Sequence, residues 1–86
     1  MNSTIHTAID EILAEAASAQ DFYGPFASAH EMLGVLEEEV DELRQHVFAR
    51  QGSRDRYAMR HEAIQVAAIA LRWAAACEDD GPELKR

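Results

Sequence analysis

Between Ile5 and Ala16 the apolar positions Ile5, Ile9, Ile12, Leu13 and Ala16 recur at i, i+3, i+4 and i+7 spacing, the period of one face of a helix. The spacing predicts a first helix capped by Ser3 or Thr4 and ending near Phe22, because Gly24-Pro25 is a chain-turning dipeptide. A second periodic run follows. At about 100° per residue, Met32, Val35, Leu36, Val40, Leu43 and Val47 fall on one side of a helix. Ser28-x-x-Glu31 opens that helix as a capping box, and Gly52-Ser53 should stop it after about Arg50. A third helix is expected from Ser53–Asp55 to about Cys77, followed by a polar tail over residues 79–86 that contains Gly81-Pro82. Almost no strand-like alternation interrupts these runs. The expected architecture is all-α: an antiparallel bundle of three main helices in one domain over residues 1–78, with the short link from Gln51 to Arg54 favouring antiparallel neighbours.

The third helix does not have one apolar face but several. In "AIQVAAIALRWAAAC", residues 63–77, only Gln65 and Arg72 break the apolar run. A helix apolar nearly all round must be covered nearly all round, and two short neighbours can hardly do this. The pattern therefore predicts self-association, as a homodimer or a dimer of dimers with the third helix central, and Trp73 either anchoring that contact or filling an ordinary core.

Composition sharpens this picture. Eighty-six residues suffice for one domain, and at this size a lone chain buries a modest share of its surface, so oligomerisation is a natural source of stability. Sixteen acids against eight Lys and Arg, a net charge of −8, argue against nucleic acid as partner, since binding to its backbone relies on basic side chains. The single Cys77 cannot form an internal disulfide and reads as a reduced core filler. The N-terminus lacks a basic segment leading into an apolar one, and "VAAIAL" is too short to span a bilayer. No membrane partner and a cytoplasmic location are expected.

Charge placement raises the chemical question. Glu37, Glu38, Glu39, Asp41 and Glu42 crowd one stretch, although like charges at i,i+3 and i,i+4 destabilise a helix. On the angular reading Glu37 and Asp41 face water. Glu39 falls inside the apolar sector, Glu42 on its edge and Glu38 just beyond. Glu62 repeats the anomaly on the third helix, beside Val66, Ile69 and Trp73, with Gln65 on the adjacent flank. An inward carboxylate without a partner is costly. Arg60, Arg72 or a histidine could supply one. A divalent cation is the other solution, and an all-oxygen set suits Mg²⁺ or Mn²⁺, whereas Zn²⁺ favours His and Cys. A di-iron carboxylate bundle would need Glu-x-x-His, which does not occur.

"LEEEVDEL" followed by "RHEAIQVAAIALRW" resembles the MazG-like all-α nucleoside triphosphate pyrophosphatases, especially their short phage-like or mobile-element members. Glu38-Glu39-x-x-Glu42 matches that family's Glu-Glu-x-x-Glu motif, and Glu62-x-x-Gln65 matches its Glu-x-x-Asp motif with Gln in the last position. The resemblance covers about residues 28–77. It implies hydrolysis of a nucleoside triphosphate between the α- and β-phosphates, with Mg²⁺ (or Mn²⁺) as cofactor. It also implies Glu39, Glu42, Glu62 and Gln65 as metal ligands, and Glu38 and Glu39 as the catalytic acids, Glu38 as ligand or as base towards water. Gln65 can offer a carbonyl oxygen but no charge, which leaves a weak or inactive helical interaction module as the alternative. Arg50, Arg54, Arg56 and Arg60 concentrate half of the basic residues near the start of the third helix, where guanidinium groups and a helix N-terminus would suit a phosphate-bearing substrate.

Overall fold

The computed structural model describes residues 3–49, 52 and 54–79. It consists of three helices, α1 (Ser3–Tyr23), α2 (Ala29–Val47) and α3 (Arg56–Asp79), with no strand among the described residues. The all-α reading holds. Each helix is bounded by local chemistry. Gly24 takes the left-handed conformation (φ 72°) that glycine adopts without steric penalty, and its N–H donates to the Gln20 carbonyl at 2.9 Å, closing the end of α1. The Ser28 Oγ accepts from the Glu31 N–H at 3.1 Å, and the Glu31 carboxylate accepts from the Ala27 N–H at 2.8 Å. The expected capping box is thus present, with its return bond made one residue further upstream. Asp55 caps α3, its carboxylate accepting from the N–H groups of Tyr57 and Ala58.

Two boundaries differ from expectation. α2 stops at Val47 instead of near Arg50, with Phe48 donating to the Arg44 carbonyl. Phe48 is 76% exposed, so no packing holds another turn. α3 runs to Asp79, one residue into the expected tail; residues 80–86, Arg50, Gln51 and Ser53 lie outside the described residues.

α3 is central. Both α1 and α2 pack on it, and no comparable contact joins α1 to α2. Cross-links show the directions: Arg60 meets Glu11 and Arg72 meets Gln20, so α1 and α3 run parallel, whereas Arg72 lies against Phe26 just before α2 and Glu62 lies near Glu39 and Glu42 further along it, so α2 runs antiparallel to α3. Among the described residues the core is small, consisting of Ala16, Met32, Ala68 and Ile69. The Ala-rich outer side of α3, with Ala63, Ala70, Leu71, Ala74 and Cys77, is exposed. Cys77 is therefore no core filler in the single chain, because neither neighbouring helix covers that side.

Candidate functional site

Glu39 and Glu42 are three residues apart and so project from the same side of α2. Because α3 runs antiparallel to α2, Glu62 meets them from across the interface. One carboxylate oxygen from each of the three lies within 4.8 Å of the others. Glu39 and Glu62 are half-buried and Glu42 is exposed. One oxygen of Glu62, Oε2, is buried with no hydrogen-bond partner. Ionised carboxylates only accept hydrogen bonds, so the three cannot satisfy one another without a proton or a cation.

The electrostatics express that conflict. Burial first, then contact with Glu62 and the charges of Glu42, Glu62 and Glu38, push the Glu39 carboxyl up to about 7. The carboxyl contact with Glu62, followed by its charge, raises Glu42. Among the described residues no basic side chain relieves the cluster. Arg60 turns to α1, with its Nη1 donating to Glu11 Oε1 at 3.2 Å and its Nη2 paired with Oε2, which holds the Glu11 carboxyl below its ordinary range. Arg72 is taken up by the α1–α2 loop. The donor set that remains is all oxygen and carries an orphaned buried atom. It fits a hard divalent cation of the Mg²⁺ or Mn²⁺ type, with Glu39, Glu42 and Glu62 as the residues to hold it.

The other expected site residues fall around this triad. Glu38 is exposed beside it, close enough for its charge to raise both Glu39 and Glu42. Gln65 is half-buried, one turn along α3 from Glu62, and shares with Glu39 the wall of an adjoining cleft. Arg54 and Arg56 are exposed at the start of α3, and Arg50 lies outside the described residues. Glu37 and Asp41 are exposed as the angular reading requires, and Asp41 accepts from the Gln45 side-chain amide at 3.1 Å.

The cleft itself was not foreseen from the sequence. It measures about 540 Å³ and exists because α1 and α2 flank α3 without closing on each other. Ala68 and Ile69 of α3 floor it, Glu15 and Ala19 line one wall, and Val35 and Glu39 line the other. The loop Gly24–Ala27 closes the end opposite the triad. Arg72, only 9% exposed, fixes that loop: its Nε donates to Gln20 at 3.0 Å, its Nη2 to the Gly24 carbonyl at 3.1 Å, and its guanidinium lies 4.2 Å from the centre of the Phe26 ring. Burial lowers the Arg72 pKa, yet guanidinium stays charged at any ordinary pH. A charged residue inside the apolar run of α3 was the one sequence signal for this contact, although it could not name the loop as partner. No family model matches the chain, and neither a curated protein nor a solved structure shows significant similarity to it.

Proposed function

We propose that the protein is a Mg²⁺- or Mn²⁺-dependent nucleoside triphosphate pyrophosphohydrolase of the MazG-like type, releasing pyrophosphate and a nucleoside monophosphate. The observation that carries this reading is the convergence of Glu39, Glu42 and Glu62 within 4.8 Å, with a buried Glu62 oxygen left unpartnered. The motif resemblance supplies the reaction class. When bound, the cation offsets the negative charge of the phosphates and polarises the oxygens it touches. Glu39 and Glu62, both half-buried, and the exposed Glu42 would hold it. Glu38, exposed at the rim, is the residue suited to orient the attacking water and accept its proton. Among the described residues Arg54 and Arg56 pair with no other side chain and are open to phosphate oxygens, whereas Arg60 would first have to leave Glu11.

One residue favours a second reading. Gln65 stands where the resembled family has Asp, so the site lacks one negative charge, and a weak or inactive helical interaction module of the same fold is the competitor. A panel of natural and modified nucleoside triphosphates, incubated with Mg²⁺ or Mn²⁺, separates the two. Pyrophosphate released from at least one of them, and abolished by Glu39→Gln, is the expected result; a folded protein releasing none would leave the module. Self-association belongs to the same proposal, since the apolar outer side of α3 and much of the α1 stripe have no cover within one chain.

A further inference from the structure

The geometry points to the cleft between α1 and α2 as the seat of the nucleoside portion of the ligand, with the polyphosphate directed to the triad and the base to the loop end. This rests on the proposed nucleotide chemistry and adds to it a site, an orientation and the residues that enforce both.

The cleft and the triad are continuous, because Glu39 belongs to each and Gln65 lines the junction. A volume of about 540 Å³ lies within the usual range for small-molecule pockets, about 300–1,000 Å³. From Glu39 at the triad to Glu31 beside the loop, eight residues of α2 advance about 12 Å at the helical rise. A nucleoside reaching away from its α-phosphate has that length available. The composition of the walls fixes its direction. Glu15, Glu31 and Glu39 outnumber Arg72, the one cation among the lining residues and already bonded to Gln20 and the Gly24 carbonyl, so phosphate is left to the end where a divalent cation can offset its charge. Glu15 has no hydrogen bond or ion pair among the described residues and is half-buried, so it is open to accept from a sugar hydroxyl or a base N–H. At the far end Tyr23 and Phe26 form an aromatic wall, and the N–H groups of Arg72 not used by Gln20 and Gly24 can donate to a base carbonyl or ring nitrogen. Arg72 also acts as a positioning residue by holding Phe26 and the loop in place.

The test compares ligands with and without a nucleoside. Affinities are measured by calorimetry with Mg²⁺ for inorganic tripolyphosphate and for the four α,β-methylene deoxynucleoside triphosphates, which resist cleavage. The wild type should bind at least one analogue about tenfold or more tighter than tripolyphosphate, the gain coming from apolar area buried in the cleft. Ala19→Phe, which fills the cleft from a half-buried position on α1, should abolish that advantage and leave tripolyphosphate affinity and the metal-induced rise in Tm unchanged. Phe26→Ala, which removes the ring at the loop end and its contact with Arg72 while leaving the Arg72 bonds to Gln20 and Gly24, should reduce the advantage in the same direction. If every analogue binds like tripolyphosphate and neither variant alters this, the cleft assignment is overturned even where pyrophosphate release is observed. If no natural nucleotide is hydrolysed but the analogues keep their advantage and lose it in Ala19→Phe, the cleft assignment stands and the hydrolase reading falls.

Discussion

At the residue scale the acid run separates into two populations. Glu37 and Asp41 are solvated, whereas Glu39, with Glu42 and Glu62, is drawn into a cluster that folding itself assembles. A ligand bound only by the native state stabilises it by mass action. Mg²⁺ or Mn²⁺ should therefore raise Tm in the wild type, with the increment falling sharply in Glu39→Gln and Glu62→Gln and surviving in Glu37→Gln and Asp41→Asn; differential scanning fluorimetry reads all five proteins. Gln65→Asp should enlarge the increment, as it adds a negative charge one turn from Glu62. An equal response throughout would identify a diffuse acidic surface and remove the site. A pH dependence follows from the same group. In chelator the folded protein holds a proton on Glu39 up to about pH 7, while the unfolded chain releases it near pH 4.5. The folded state binds more protons across that window, so its stability falls as pH rises through it and the loss is complete above 7. Solvent screening keeps the effect to about 1–2 kcal/mol. Urea unfolding at pH 5 and pH 8 should show this slope in the metal-free wild type, a weaker one in Glu39→Gln, and a reversal of the loss at pH 8 on adding Mg²⁺.

At the scale of elements, the helices were legible because each carries its own instructions. The Ser28–Glu31 cap, the Gly24 turn and the apolar periods place three helices within two or three residues of where they occur. The triad was legible for the same reason: an angle on one helix identifies an inward Glu39, and a short connection brings Glu62 to it. The cleft was not, because it arises from how far α1 stays from α2, a tertiary distance that no period along either helix records. Glu15, adjacent in sequence to the buried Ala16, offered only a hint of a wall position. Arg72 shows what links these levels. As a residue it breaks an apolar run; as part of α3 it fastens the loop between α1 and α2. Arg72→Ala should cost about 1–3 kcal/mol in urea unfolding, since it removes charge-assisted bonds to Gln20 and to the half-buried Gly24 carbonyl. Arg72→Lys should recover little, because a point-like ammonium cannot donate in a fork and lie over Phe26 together. Full recovery by Lys would show that charge alone holds the loop.

At the scale of the whole molecule the unresolved tension is between how much apolar surface the chain makes and how little it buries. Among the described residues four apolar side chains form the core, while Ile5 is 52% exposed, Ile9 44% and Leu13 53%. These three sit on the stripe whose periodicity defines α1, and a stripe of that kind forms in order to be covered. α3 covers its Ala16 end but not its start. Among the described residues no helix is long and apolar enough to cross a membrane, so the cover for this stripe has to be sought elsewhere. In the assembly proposed above, a second copy would supply it. The physical consequence is an asymmetry between two measurements. In a lone chain Ile9 and Leu13 are already half in water, so Ile9→Asp with Leu13→Asp should barely change the helical signal in circular dichroism. In an assembly the same pair would bury two carboxylates in place of two apolar side chains, each worth about 1.5–3 kcal/mol when fully buried. Dissociation should then strengthen by about a hundredfold or more. Light scattering at micromolar concentration is expected to give a multiple of 9.6 kDa for the wild type and the single-chain mass for the double variant, with helicity retained in both. A wild type that scatters as a stable monomer would end the proposal, and would require the exposed α1 stripe and the alanine side of α3 to be explained without a second copy.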